Sequence, residues 1–242
     1  MKIPGLFITA TDTGVGKTYF ASAIARRLRD QSVRVGAYKP VASGSIRDAR
    51  GGPVWGDVEA LSSALGREFD PERICPQRFH AALAPPVAAH QEGGAVDPHL
   101  LRSGATWWET QVDFLIVEGA GGLLSPLSDT DSNAELACDL DLPLVIIARL
   151  GLGTLNHILL TVEVAASRGL KTAGIILTEA ASDPDDPSTE TNPTELAARC
   201  SVPILGVFRY APAAELWRLP HFQSIDWKGL TCRSVPMSAS PN

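Results

Sequence analysis

Residues 10–18 read Ala10-Thr11-Asp12-Thr13-Gly14-Val15-Gly16-Lys17-Thr18, directly after the apolar run Leu6-Phe7-Ile8 and directly before a helical pattern. A strand, a glycine-containing turn, Lys-Thr and a helix in that order form a phosphate-binding loop. Gly14 and Gly16 allow the backbone to curl so that its N–H groups face phosphate oxygens. The helix that begins near Lys17 points its positive end at the same anion. Lys17 reaches the terminal phosphates, and the Thr18 hydroxyl suits a Mg²⁺ ligand. The usual pattern has glycine five residues before Gly16, where this chain has Thr11.

Outward from the loop, apolar strand-like runs alternate with helical patterns. Strands are expected at 4–9, 33–38, 113–118, 144–149, 172–178 and 203–208, and helices at 17–30, 57–65, 97–110, 131–139, 154–168 and 194–200. Runs such as Phe114-Leu115-Ile116-Val117 and Leu144-Val145-Ile146-Ile147-Ala148 are apolar at every position. That suits strands covered on both faces. The series predicts an α/β fold, a doubly wound and mostly parallel sheet with helices on both faces, with ligands at the carboxyl ends of the strands. Residues 43–56, with four glycines, predict a flexible loop near the phosphate site. Residues 182–193, acidic and proline-rich, predict a solvated connection before a helix at 194. The stretch after 220 has weak periodicity and receives no assignment.

The bulk composition narrows the function. A chain of 242 residues, 45 % apolar and 20 % charged, reads as one soluble α/β domain spanning 1–242. A net charge of −6 argues against a nucleic-acid surface. No run of about 18 apolar residues implies a membrane span, and the start of the chain lacks the pattern of a secretory signal. The four cysteines, Cys75, Cys138, Cys200 and Cys232, are scattered, which fits reduced thiols in a cytoplasmic protein. His80, His90, His99 and His221 have no metal-ligand spacing and are expected on the surface or in the core.

Three further segments carry chemistry. Lys39 closes the second strand in Tyr38-Lys39-Pro40-Val41-Ala42-Ser43-Gly44, where a cation can neutralise a transferring phosphoryl group. Glu118 ends the strand Phe114–Val117 and enters Gly119-Ala120-Gly121-Gly122; Asp57 follows Gly56 and opens a helix. Mg²⁺ takes few protein ligands besides phosphate and water, so Thr18, Asp57 and Glu118 suffice to hold it. Gly151-Leu152-Gly153-Thr154-Leu155-Asn156-His157 follows the fourth strand and opens a helix whose free N–H groups suit a carboxylate.

Taken in order, these segments, together with Ser125-Pro126-Leu127-Ser128-Asp129-Thr130, resemble the dethiobiotin synthetase family, over positions 6 to about 210. The resemblance implies a fold of the P-loop NTPase type and an ATP-dependent ligase of biotin biosynthesis. In such an enzyme one amine of 7,8-diaminopelargonate takes up CO₂ as a carbamate. The carbamate attacks the γ-phosphate of the nucleotide, and the second amine then closes the ureido ring with loss of phosphate. It further implies Lys17 and Lys39 as catalytic cations and Mg²⁺ on Thr18, Asp57 and Glu118. Nucleotide contacts are implied from Gly14, Val15, Gly16, Lys17, Thr18, Tyr19, Asp57, Glu118, Gly119, Ala120, Gly121, Thr178, Glu179, Arg209 and Tyr210. Thr13 and Ser43 touch the diamine or carbamate in this reading. Leu152, Gly153, Thr154 and Asn156 hold the substrate carboxylate of a neighbouring subunit, which implies a homodimer with sites at its interface.

The chain departs from the family at the base-binding end, with Thr178 where an asparagine is common and Arg209 where a proline is common. Thr178 lacks the paired acceptor and NH₂ donor of an amide, so a relaxed or altered base preference is expected, with CTP as a candidate beside ATP. Two rival classes fit less well. A partition-type nucleotide switch carries an extra lysine early in the loop, where this chain has Thr11, Asp12 and Thr13. An amidotransferase-type corrinoid synthetase needs a second, glutamine-hydrolysing domain. A non-catalytic binding module would have no need of Lys39, Glu118 and Ser43 together.

Overall fold

A computed structural model describes residues 1–179, 186–209 and 215–232. Six strands form one sheet: β1 (Gly5–Ala10), β2 (Val35–Tyr38), β3 (Phe114–Glu118), β4 (Leu144–Arg149), β5 (Thr172–Thr178) and β6 (Ile204–Phe208). Their spatial order is β6-β5-β4-β1-β3-β2, and every neighbouring pair is parallel. All six residues of β1 and all five of β3 are buried, as their continuous apolar runs require in a sheet covered on both sides. β3 and β4 flank β1, so the connections leave in opposite directions there. The crevice at the carboxyl end of β1 is therefore the topological switch point.

Register then determines which side chains meet at that crevice. Tyr38 pairs with Val117, which brings the next residues of both strands, Lys39 and Glu118, alongside one another. Helix α1 (Lys17–Asp30) follows the glycine loop. Gly16 caps it at φ 104°, a backbone angle that L side chains rarely adopt. Phe20, Ala21, Ile24, Ala25 and Leu28 form its buried face, and Arg27 and Arg29 sit at its negative end. Helix α2 (Gly56–Ala64) packs against α1 and carries Asp57 in its first turn. Helices α3 (Pro71–Ile74), α4 (Pro85–Gln91) and α5 (Pro98–Trp107) precede β3, and α6 (Asn133–Leu140), α7 (Thr154–Ser167) and α8 (Ser188–Arg199) alternate with the later strands.

Three segments differ from the sequence reading. Residues 43–56, expected as a flexible loop, include a short hairpin. Ile46–Arg47 pairs antiparallel with Pro53–Val54, and the Asp48 carboxylate accepts from the N–H groups of Arg50 and Gly52, each at 2.8 Å. An aspartate that bonds backbone two and four residues on makes a turn out of a polar run. Helix α8 begins at Ser188, so 188–193 belong to it and Pro193 lies inside it; 180–185 fall outside the described residues. Asn192, 5 % exposed, tethers this turn by donating to the Gly151 carbonyl at 2.8 Å.

The third difference is the segment after 220. Helix α9 (Pro220–Gln223), the turn that follows it and a 3₁₀ turn at Gly229–Cys232 carry Phe222, Trp227 and Leu230 respectively into the main core. Phe222 lies between Phe208 of β6 and Trp227, with ring centroids 5.8 and 4.9 Å apart. One short helical turn has no periodicity to read, and only the tertiary contacts reveal it. Trp227→Ala should therefore destabilise the protein by about 3 kcal/mol, through lost burial and the cavity left behind. Urea denaturation measures this, and a change within about 0.5 kcal/mol, the range of an exposed site, would contradict it.

Candidate active site

A cavity of about 690 Å³ opens at the switch point. Thr13, Gly14, Gly16, Lys17, Thr18 and Tyr19 of the phosphate loop and α1 line one side, and Lys39, Ser43, Asp57 and Glu118 the other. Ala82-Leu83-Ala84-Pro85 and Ser125-Pro126 close its apolar rim.

Its centre is a cluster of two ammonium groups and two carboxylates. The Lys39 ammonium lies 2.6 Å from Glu118 Oε1, 2.8 Å from Asp57 Oδ2 and 3.2 Å from the Gly119 carbonyl. Lys39 is 3 % exposed and Glu118 1 %. Burial alone would lower the Lys39 pKa, but Glu118 and Asp57 outweigh it and hold the ammonium above the ordinary lysine value. Burial, with Asp57 close by, pushes the Glu118 carboxyl above the usual carboxylate range against the pull of Lys39. Asp57 is also disfavoured by burial, yet Lys39 and the Thr18 hydroxyl hold it below that range. Lys17 bonds the Asp12 carbonyl at 3.1 Å, and burial, then repulsion from Lys39, lowers its pKa to about 8.

The Thr18 hydroxyl stands 2.8 Å from Asp57 Oδ1 and 2.7 Å from Glu118 Oε1, so one proton faces two acceptors. Glu118 Oε2 is buried with no hydrogen-bond partner. Three hard oxygen donors short of protons, one carboxylate oxygen unsatisfied, are the donor set that Mg²⁺ prefers beside phosphates.

The glycine turn after Glu118 is held from outside the cavity. Asn133, fully buried, donates Nδ2 to the carbonyls of Ala120 at 2.7 Å and Gly122 at 2.8 Å, and its Oδ1 accepts from the Ala120 N–H at 3.0 Å. A Cβ at Gly119 would stand 2.3 Å from that Oδ1, so a larger residue there would have to displace the Asn133 amide. Asn133 opens α6 inside a capping box, in which Ser132 and Glu135 satisfy each other's backbone N–H groups. The Ser132-x-x-Glu135 spacing was visible in the sequence, but the reach of Asn133 back to 120–122 was not.

The other expected site residues are dispersed. Ser43 lies at the cavity but donates to the Leu83 carbonyl at 2.6 Å. Val15 is buried beneath the loop. At the start of α7, Gly153 is the cap at φ 89°, Leu152 is 89 % exposed, and Thr154 is buried with an unpartnered hydroxyl. The Leu152 N–H donates to Asp186 Oδ2 at 2.9 Å. None of Leu152, Gly153, Thr154 or Asn156 lines the cavity of the same chain. Thr178 is buried at the end of β5, and Arg209 bonds Glu179 at 2.7 Å and also Glu190 of α8. Tyr210 falls outside the described residues. His90 bonds Asp129 and His80 bonds Ser45, both on the surface. Cys75, Cys138 and Cys200 are free thiols, and burial pushes Cys75 up to about 12.

The parallel sheet, the glycine loop at its switch point and the Lys-Thr pair define a P-loop nucleotide-binding protein. The AAA domain family matches residues 4–215. Among curated relatives, the ATP-dependent dethiobiotin synthetase BioD of Rhodopirellula baltica is 41 % identical over 213 residues, covering 84 % of this chain and 83 % of its own. That of Anaeromyxobacter dehalogenans is 44 % identical over 193 residues (80 % and 84 %), and that of Bacillus subtilis 40 % over 203 (84 % and 86 %). The chain belongs to the ATP-dependent dethiobiotin synthetases. Among solved structures, a ParA family ATPase from Chlorobium tepidum superposes with a TM-score of 0.53 at 13 % identity, covering 91 % of both chains. That likeness concerns the fold alone. No helix among the described residues is long and apolar enough to cross a membrane.

The capping box carries a pH dependence. Bonds from Ser132, with Arg168 nearby, lower the Glu135 pKa to about 2. A carboxylate held below its unfolded value stabilises the fold above that unfolded value, about 4.3, and the gain is lost as pH falls toward 2. Glu135→Gln should cost less than about 1 kcal/mol at neutral pH, because the group is partly exposed. The gap to wild type should close in denaturation curves between about pH 5 and pH 2. A gap constant across that range would show that the charge is not involved.

Proposed function

We propose that the chain forms the ureido ring of dethiobiotin from 7,8-diaminopelargonate, CO₂ and a nucleoside triphosphate. The observation that carries this is the meeting of Lys17, Lys39, Thr18, Asp57 and Glu118 around one cavity at the carboxyl edge of the sheet. The reaction brings two anions together, a carbamate and a polyphosphate, and its barrier is mainly one of positioning and charge. N–H groups at the start of α1 and Lys17 receive the phosphates. Thr18, Asp57 and Glu118 would hold Mg²⁺, which would supply charge neutralisation for the polyphosphate. Lys39 offsets the charge that builds on the transferring phosphoryl group. Thr13 and Ser43 orient the diamine, and the glycines of 119–121 let the backbone approach the reacting atoms.

The substrate carboxylate binds at the start of α7 from a second copy of the chain. Leu152 and Leu160 of that region, 89 % and 57 % exposed, are large apolar side chains that a second copy would cover. The enzyme acts as a cytoplasmic homodimer, and free thiols fit such a compartment.

Phosphate release in the presence of Mg²⁺ and bicarbonate should depend on 7,8-diaminopelargonate. Lys39→Ala should lower turnover by a factor on the order of 10² or more. Diamine-independent hydrolysis would refute the reading in favour of a nucleotide switch.

Base selection follows from residues beyond the phosphates. Thr178 has one hydroxyl in place of an amide, and Arg209 is already paired with Glu179 and Glu190, so neither forms a dedicated reader of adenine. CTP and GTP should therefore support turnover within about tenfold of ATP. A strict ATP preference in the same assay would disprove this.

A further inference from the structure

A lysine ammonium has three protons. In this structure Lys39 has three acceptors within reach, Glu118 Oε1, Asp57 Oδ2 and the Gly119 carbonyl, and it is almost wholly buried among them. No proton is left for a phosphate or a carbamate. The lysine best placed to touch the reacting atoms is thus fully spent on the protein. Its two charged partners are the same carboxylates that the Mg²⁺ reading assigns to the metal, and with them it carries a net charge of −1, unsuited to two anionic reactants.

We propose that Lys39 holds the place of the divalent cation in the nucleotide-free protein, and that it turns to the reactants only when Glu118 and Asp57 pass to the metal. The inference rests on the Mg²⁺ reading given above. On that exchange the local charge of the three side chains and the cation becomes +1, and the ammonium regains protons to donate. Lys39 then couples metal–nucleotide binding to capture of the carbamate. The cavity stays unattractive to the second anion until the first is neutralised. Lys17, with a single acceptor in Asp12, is under no such constraint and meets the phosphates directly. The unpartnered Glu118 Oε2 fits the same scheme, since Lys39 and Thr18 both crowd Oε1 and leave Oε2 to a further partner.

The test uses Mn²⁺ as the probe, with free and bound ion distinguished by electron paramagnetic resonance. Wild type with ADP should bind Mn²⁺, and Glu118→Gln should lose it; equal binding by both would refute the metal reading itself. With that site established, Lys39→Met and Lys39→Gln, without nucleotide, should bind Mn²⁺ on the order of tenfold more tightly than wild type, because the competing ammonium is gone. Equal or weaker binding would overturn the exchange. Thermal melting gives a second reading that tolerates a weakened fold. In EDTA both variants should melt below wild type, since two carboxylates lose their counter-ion. Mg²⁺ at matched ionic strength should raise the variants' midpoints more than that of wild type. Equal rises would again overturn the proposal.

Discussion

Everything at the working end of this protein depends on the buried contact between Lys39 and Glu118. Two charges cannot leave water without a partner. Each is placed by the last pair of a parallel ladder, Tyr38 against Val117, so the contact is set by sheet register and not by a loop. A slip of one residue in β2 would leave an ammonium and a carboxylate unpaired in the interior, which ties the register of the sheet edge to the chemistry of the site. The phosphate loop, with its own helix dipole, stands beside this pair and not upon it, so charge from the backbone and charge from side chains converge from two directions.

The parts of the molecule that position this contact were the parts most legible in the sequence. Strands buried on both faces announce themselves as uninterrupted apolar runs, and all six fall within about two residues of their expected places. The phosphate loop, Lys39, Asp57 and Glu118 were legible because their residue types stand at strand ends or helix starts, where polar groups need a reason. Residues that act at a distance left no such mark. Asn133 looks like any helix-start asparagine, yet it holds three residues of another loop. Trp227 sits in a stretch without period, and only Phe222 and Phe208 explain it. Pro193 and the acidic run before it read as a connection, and the tether from Asn192 to Gly151 overrides that local preference. In each case the deciding partner lies far along the chain.

The relatives and the site agree on the class of chemistry, and they bear on different questions. Similarity over most of the chain identifies the family. The geometry shows two ammonium groups and two carboxylates gathered at one cavity whose rim is partly apolar. Thr178 and Arg209 lie at the ends of β5 and β6, apart from the cluster of charges at the cavity.

Helix α8 touches both ends of this arrangement. Glu190 in its first turn pairs with Arg209 beyond β6, and Asn192 two residues on holds the Gly151 carbonyl ahead of α7. Arg209 in turn reaches Glu179 at the tip of β5. The helix is thereby a strut that braces three strand ends with a span of only three residues. Arg209 and Gly151 are thus joined through one turn of α8, so the ends of β5 and β6 share a support with the helix start that presents Leu152.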